Sequence, residues 1–316
     1  MNRAIMDHFR REGCRLRAVP IERAGSLRED LDRFESSEEL NGFQRHILHG
    51  IYRFDPPAAF EARQVLIIAT PTPSCAKVEF EWEGETRRIF CICRSDETGT
   101  GESPGKQAIR WLETLLSPAG YRVESAGHLP LKRLAVRSGL ATYGRNNITY
   151  VEGMGSFHTL SAFYTDLPPD CDGNHWREVC VHELCESCGA CIAACPTGAV
   201  RSDRFLIDTD RCLTFFNESP GEWPSWIPRS IHRCLVDCLA CQIDCPLNAE
   251  ARDRVAGPIR FDADETRRLA EGLRPEDAEP DLSRRMRILM LDDFQPGSVV
   301  ARNLRLFLER GERACW

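Results

Sequence analysis

The sequence lacks any apolar run that approaches the length of a membrane-spanning helix, and VLIIA at 65–69 is among its longest. Its first residues, MNRAIMDHFRREGCRLRAVPI, lack the apolar core of a secretory signal. Basic residues are not in excess either, since 41 Lys and Arg stand against 48 Asp and Glu and give a formal net charge of −7. We therefore expect a cytoplasmic protein that uses no membrane and presents no large electropositive surface to nucleic acid.

Cysteine, by contrast, is abundant, with 16 residues in a chain of 316. A reducing cytoplasm disfavours disulfides, so clustered thiols in such a chain indicate metal binding. Hydrophobic residues make up 42% and charged residues 28%, as in an ordinary soluble globular protein. The length is sufficient for two domains with a sizeable core.

Hydrophobic patterns predict that the front part of the chain mixes helices and strands. RQVLIIATPTP at 63–73 predicts a buried strand, and the alternating segments VEFEWEG and TRRIFCICR predict a hairpin. SLREDLDRFESSEELNGFQRHILHGI predicts a helix with Ser26 as its N-cap. The expected fold class is α+β, with a mixed α/β domain at 1–170, a cysteine-rich module at 171–250 and a short helical tail at 251–316 that packs on the core.

The stretch CESCGACIAACPTGAV has the cysteine spacing of a bacterial ferredoxin. Cys185, Cys188, Cys191 and Cys195 follow the pattern C-x2-C-x2-C-x3-C-P, which ends at Pro196. In that pattern the first three thiolates bind one four-iron cluster, and the fourth binds a second cluster. A structural zinc site is the alternative, but it needs only one or two C-x2-C pairs and no Cys-Pro.

A second stretch, HRCLVDCLACQIDCPLN, supplies three further ligands with ferredoxin spacing. Cys238, Cys241 and Cys245 form C-x2-C-x3-C-P, whereas Cys234 lies one residue too far from the next thiol. The missing fourth ligand is either Cys234 or Cys212, which lies between the two stretches. Spacing alone leaves this choice open.

Several segments resemble the epoxyqueuosine reductases. IDTDRCLTFFNESPGEWP at 207–224 resembles a family segment with a cysteine ligand, and LAVRSGLATYGRNNITY at 134–150 resembles the family's LAxRxGLGxxGKN. GSFHTLSAFYTDLP at 155–168, CPLN at 245–248 and VVARNLRLFL in the tail also match. The combination covers roughly residues 60–310 and is specific, although each piece alone is weak.

The resemblance implies how the thiols divide between two [4Fe-4S] clusters. It makes Cys212 a ligand and leaves Cys234 as a small buried hydrophobic residue. The implied ligands of one cluster are Cys185, Cys188, Cys191 and Cys245, and those of the other are Cys195, Cys212, Cys238 and Cys241.

The resemblance also implies that the front domain is nitroreductase-like, similar to that of reductive dehalogenases, and binds cobalamin. Glycines in the matching segments would let backbone approach a flat macrocycle, although glycines are also the usual residues of turns. A histidine could bind cobalt, but cobalamin in the family is held without a protein ligand. The implied cofactor-binding residues are Gly139, Tyr143, Gly144, Arg145, Asn146, Gly155, Ser156 and His158.

The general acid is where the sequence departs from the family. The family's catalytic aspartate precedes the LAxRxGL helix, and the corresponding position here is near Ser125, where no aspartate occurs. Glu124 and His128 are nearby substitutes that could donate a proton.

The expected function is a cobalamin-dependent, double-cluster oxidoreductase related to queuosine biosynthesis. An external donor such as ferredoxin or flavodoxin would supply electrons, and the substrate would be a small molecule or a modified nucleoside. The tail after Asn248 looks shortened and has no basic run, which argues against tRNA. The alternatives are a ferredoxin-like protein that reduces a separate corrinoid protein and a non-respiratory enzyme resembling reductive dehalogenases.

Overall fold

The computed structural model divides the chain into two compact units, each assembled from two stretches of sequence. Unit 1 comprises Met1–Pro71 and Ser103–Cys188, and unit 2 comprises Thr72–Glu102 and Gly189–Trp316. The structure describes residues 2–37, 40–56, 59–96, 98–169, 176–292 and 298–309.

The chain mixes helices and strands, as its hydrophobic patterns predict. The strands are β1 (Arg15–Pro20), β2 (Gln64–Pro71), β3 (Cys75–Trp82), β4 (Glu85–Cys91), β5 (Val123–Ser125), β6 (Thr142–Tyr143), β7 (Thr149–Tyr150), β8 (His158–Thr165) and β9 (Val255–Phe261). The helices are α1 (Asn2–Arg11), α2 (Arg23–Ser37), α3 (Gly42–His46), α4 (Pro104–Leu116), α5 (Leu131–Arg137), α6 (Ala190–Ala194), α7 (Leu213–Glu218), α8 (Ala240–Ile243), α9 (Ala263–Glu271), α10 (Pro280–Ile288) and α11 (Ser298–Leu308). Single helical turns of other types occur at Ile47–Ile51, Ser117–Ala119, Glu183–Cys185, Thr209–Arg211, Arg229–Ile231, Pro246–Asn248 and Pro275–Asp277.

Unit 1 is built on an antiparallel sheet with the strand order β1-β2-β8-β5. β2 is central, which explains why its apolar run is buried on both faces. On one face Leu66 and Ile68 pack with Phe9 of α1, Leu112 of α4 and Phe163 of β8. The core of unit 1 therefore packs α1 and α4 against the same face of the sheet.

Unit 2 contains the sheet β4-β3-β9, in which β9 runs parallel to β3. Phe80 and Phe261 stack with ring centroids 5.1 Å apart, and Phe307 of α11 packs edge-on against Phe80. Burying each such side chain stabilises the fold by roughly 1.5–3 kcal/mol. The tail thus packs on the β3–β4 hairpin.

The structure confirms the predicted strand at 63–73 and the predicted hairpin, and it corrects three other expectations. The hairpin belongs to unit 2 with the C-terminal part of the chain, rather than to a front domain at 1–170. α2 begins at Arg23, so Ser26 lies within the helix and is not its N-cap. The tail also contains a strand, β9, which pairs with β3 and therefore has a sheet partner that local sequence does not reveal. Among the described residues, no helix combines the length and the apolar character that crossing a membrane requires.

Candidate metal centre and cofactor-binding segment

Backbone N–H groups surround the sulfur of Cys195, just after α6. The N–H of Ala199 lies 3.2 Å from Sγ, and the N–H groups of Thr197 and Val200 also point to it. Burial alone would raise the pKa of the Cys195 thiol, but these N–H groups hold the pKa below its usual value. The site therefore favours a thiolate, the form that binds iron.

Cys212 lies immediately before α7, at the end of the turn Thr209–Arg211. The backbone N–H groups of Thr214 and Phe215 donate to its sulfur, although burial keeps the pKa of the thiol above its usual value. A bound cluster would replace this thiol proton, because metal ligation requires the thiolate.

Cys238 lies in a tight loop between two residues with left-handed backbone, Asp237 (φ 60°) and Leu239 (φ 62°). Burial raises the pKa of the Cys238 thiol to about 12, and the charges of Cys212 and Cys195 contribute to the shift. Cys195 and Cys212 therefore lie close enough to Cys238, within unit 2, for their charges to affect its protonation.

Cys234 has different surroundings. Its side chain is 1% exposed, and its thiol donates to the carbonyl oxygen of Cys238 at 3.4 Å. Burial raises the pKa of Cys234, and the charges of Cys91, Cys238, Asp237 and Cys75 add to the effect in that order. Deep burial of this kind favours the neutral thiol over the thiolate.

The remaining predicted ligands are partly exposed. Within unit 1, Arg145 donates from Nε and Nη2 to the carbonyl oxygen of Cys185, at 3.3 and 3.2 Å. The N–H of His182 donates to the carbonyl oxygen of Tyr143 at 2.7 Å. Arg145 and Tyr143 therefore hold the loop on which the first cluster motif begins. All eight predicted ligands are partly exposed, including Cys188, Cys191, Cys241 and Cys245.

Across the described residues, no three His, Cys, Asp or Glu side chains lie together as ligands of a single metal ion would. The case for cluster ligands therefore depends on the surroundings of the individual sulfur atoms and on the motif spacing.

Two predicted cofactor-binding glycines have structural roles within unit 1. A Cβ on Gly144 would lie 2.5 Å from Cε2 of Tyr150 and 2.6 Å from Oδ1 of Asn146. Gly139 has φ 70°, and a Cβ there would lie 2.8 Å from Nε of Arg177. Close contacts within the chain therefore explain why both positions are glycine, without a bound cofactor. Asn146 is buried and donates from Nδ2 to the Tyr150 hydroxyl at 2.9 Å.

Both ring nitrogens of His158 are engaged by the protein. Nδ1 lies 3.1 Å from the carbonyl oxygen of Gly155, and Nε2 lies 3.2 Å from Oγ1 of Thr149. The contact with a carbonyl requires the proton on Nδ1, so Nε2 accepts from the threonine hydroxyl. Burial lowers the pKa of His158 to about 4, which keeps the ring neutral near pH 7. Ser156, the remaining predicted residue of this segment, is buried.

The candidate proton donors gather near Tyr164 of β8. Nε2 of His128 lies 3.3 Å from the Tyr164 hydroxyl. Burial raises the pKa of Tyr164 to about 12, and the charges of Asp55 and Glu124 add to that shift. Ser125, at the expected aspartate position, accepts the N–H of Gly127 at 3.3 Å. Sequence reasoning missed Asp55, because it is distant in sequence and belongs to no motif.

Comparison with known proteins matches the cysteine-rich module to a described family. Residues 184–248 match the 4Fe-4S double cluster binding domain. This match confirms the expectation of a double iron–sulfur cluster module and covers both cysteine stretches.

Relatives and solved structures extend the similarity to the rest of the chain. Epoxyqueuosine reductase of Bacillus subtilis (strain 168) is 27% identical over 229 residues, which are 71% of this chain and 57% of that protein. A crystal structure of selenomethionine-labelled epoxyqueuosine reductase shares the fold with a TM-score of 0.64 and 20% identity, over 97% of this chain and 80% of that one. Epoxyqueuosine reductase solved with an epoxyqueuosine-modified tRNA stem loop has a TM-score of 0.62 and 19% identity, with the same coverage.

These similarities confirm the expected resemblance to the epoxyqueuosine reductases. The match spans little more than half the length of the Bacillus subtilis relative. The solved structures support a mixed α/β fold over nearly the whole of this chain.

Proposed function

We propose that this chain, as a relative of the epoxyqueuosine reductases, is an iron–sulfur and cobalamin-dependent reductase. The observation that carries the proposal is a double-cluster domain at 184–248 in a chain with the fold of those enzymes. Two adjacent low-potential clusters transfer single electrons and need an acceptor site. An external protein such as ferredoxin or flavodoxin would supply the electrons.

We assign the thiols to two clusters as the family resemblance implies. Support comes from unit 2, where backbone N–H groups solvate the sulfurs of Cys195 and Cys212 and where Cys238 lies within their electrostatic reach. We call the cluster of Cys195, Cys212, Cys238 and Cys241 the Cys212 cluster. The other set is Cys185, Cys188, Cys191 and Cys245.

The residues of the 139–158 segment are compatible with cobalamin held without a protein ligand to cobalt. His158 supports this, because its two nitrogens are already bonded to Gly155 and Thr149. Asn146 and Ser156 are buried polar residues of this segment, and the Asn146 amide donates to Tyr150, which packs beside Gly144. When bound, cobalamin would supply a low-potential cobalt centre for reaction at carbon.

A reductase of this kind also needs a source of protons. Removing an epoxide oxygen to leave an alkene consumes two electrons and two protons and releases water. We propose that His128 or Glu124 delivers a proton, and that the Tyr164 hydroxyl orients the His128 ring through Nε2. Asp55 is a third titratable side chain near Tyr164, besides His128 and Glu124.

An epoxyqueuosine-type nucleoside is the first substrate to test, since one solved relative carries a tRNA stem loop with that modification. The reconstituted protein, cobalamin and a strong reductant would be incubated with epoxyqueuosine-containing tRNA, followed by nucleoside mass spectrometry. We expect conversion to queuosine that requires cobalamin. No conversion by protein loaded with both clusters and corrinoid would refute this substrate.

The serine at position 125 favours a second candidate, an electron-transfer protein that reduces a separate corrinoid protein. Such a protein needs the clusters but no general acid and no bound cobalamin. It would reduce an added corrinoid protein in the same mixture and leave the modified tRNA unchanged.

A further inference from the structure

Two side chains of α11, Arg302 and Asn303, contact the backbone of the segment between Cys212 and Cys238. Asn303 is 0% exposed. Its Nδ2 donates to the carbonyl oxygens of Asn217 at 2.9 Å and Leu235 at 2.6 Å. One buried amide thus joins α7, which follows Cys212, to the loop that precedes Cys238.

Asn217 of α7 adds a second connection between the same two segments. Its Nδ2 donates to the carbonyl oxygen of Asp237 at 2.5 Å and to that of Cys234 at 3.3 Å. Asn303 and Asn217 therefore fix α7 against the loop that ends at Cys238. A cluster tolerates only small displacements of its ligands, of about 0.5 Å, so these amides act on its geometry.

Arg302 places a positive charge at the C-terminal end of α7. It donates to the carbonyl oxygens of Phe216 at 2.5 Å, Ser219 at 2.9 Å and Gly221 at 2.7 Å. Its Nε and Nη2 also donate to Oδ1 of Asn303, at 3.0 and 2.9 Å. Within the part of the chain that the structure describes, no carboxylate forms an ion pair with Arg302.

We propose that Arg302 is a charge-bearing positioning residue that raises the reduction potential of the Cys212 cluster, and that Asn303 holds it there. Reduction adds one negative charge to a cluster, and a nearby partly buried cation stabilises the reduced form more than the oxidised form. Among the residues that the structure describes, no carboxylate pairs with Arg302 to cancel this field. The inference rests on the ligand set given under the proposed function.

The test is a redox titration of the intact, reconstituted protein, followed by electron paramagnetic resonance. Arg302→Gln keeps N–H donors but removes the charge, and Arg302→Lys keeps the charge. Arg305→Gln is the matched control, because it removes the same charge from an exposed position of α11. The signal of the Cys212 cluster is identified as the one missing from Cys212→Ser.

In Arg302→Gln we expect the equilibrium constant for reducing the Cys212 cluster to fall about tenfold, or about 59 mV for a one-electron couple. The other cluster should keep its potential, Arg302→Lys should stay within about twofold of wild type, and Arg305→Gln should match wild type. An Arg302→Gln potential equal to that of Arg305→Gln would overturn the inference. An equal shift in Arg302→Lys would also overturn it, because loss of charge would then not be the cause.

Asn303→Leu tests the positioning role. We expect the Cys212 cluster signal to decay several-fold faster than in wild type during incubation with an iron chelator, while the second signal decays unchanged. Equal decay of both signals, or no change in either, would refute this role. If instead Cys212→Ser keeps all its iron, the ligand set of the proposed function fails, which is a separate result.

Discussion

Cys212 and Cys234 are equally plausible ligands by their positions in the sequence, but backbone N–H groups donate to the sulfur of Cys212, whereas Cys234 is 1% exposed. Cys212 receives backbone N–H groups from the start of α7, and its charge acts on Cys238. Cys234 is buried, and burial raises the pKa of its thiol, with further contributions from Cys91 and Cys238. Hydrogen bonds to sulfur stabilise cluster thiolates, whereas an apolar core disfavours them.

The two cysteines give a matched pair of substitutions. Cys212→Ser should lower bound iron by up to about half, because a cluster with three thiolates is labile. Cys234→Ser should keep the wild-type iron content, although a hydroxyl in an apolar core lowers its free energy of unfolding. Iron per chain after anaerobic reconstitution measures both effects. Loss of iron from Cys234→Ser alone would reverse the assignment.

Cysteine spacing in the sequence predicts the cluster module, but the sequence does not reveal the long-range contacts of individual residues. The ferredoxin spacing from Cys185 to Cys195 is a local property, so a motif suffices to predict it. The roles of Arg302 and Asn303 depend on α11 returning to α7, which no local pattern encodes. Asp55 escaped prediction for the same reason, because its proximity to Tyr164 is a property of the folded unit.

Helix α7 ends at Glu218, whose carboxyl group is partly buried. Burial raises the pKa of Glu218 to about 8, the charge of Asp237 adds to the shift, and the N–H of Asp237 partly opposes it. Because this pKa is higher in the folded state than in the unfolded chain, folding takes up a proton between the two values. The contribution of Glu218 to stability is therefore complete at low pH and is lost as the pH rises through about 8.

Glu218→Gln should remove this pH dependence. Relative to the variant, wild type should lose up to about 1.4 kcal/mol of stability per pH unit as the pH rises from 6 towards 8. Thermal unfolding midpoints of the two proteins across that range measure the difference. Glu222→Gln is the control, since Glu222 is exposed a few residues further along the chain. Parallel pH profiles for wild type and Glu218→Gln would contradict the assignment of a raised pKa.

Among the elements, the apolar strand β2 and the β3–β4 hairpin follow from sequence, because periodicity and turn residues are local signals. β1 lies at the sheet edge beside β2, and its six residues, RLRAVP, carry little strand signal. β9 depends on parallel pairing with β3, far away in the chain. Tertiary contacts rather than propensity determine both strands.

At the scale of the whole molecule, the order of segments in the sequence differs from their grouping in space. Residues 72–102 leave the first unit, form the hairpin, and pack with the tail in the second unit. A division at 170 follows the change in composition, but composition does not show which sheet a hairpin joins. The family resemblance predicted the mixed α/β fold correctly because its motifs are spread over most of the chain.

We propose that the chain, besides its double-cluster module, holds a corrinoid in its 139–158 segment. The direct measurement is gel filtration after anaerobic cluster reconstitution and incubation with cobalamin, with corrinoid absorbance followed in the protein peak. We expect about one corrinoid per chain in that peak. His158→Gln should bind the same amount of corrinoid, because the His158 ring is engaged by Gly155 and Thr149. Corrinoid that elutes entirely in the small-molecule volume, from protein carrying both clusters, would contradict the claim and favour an electron carrier.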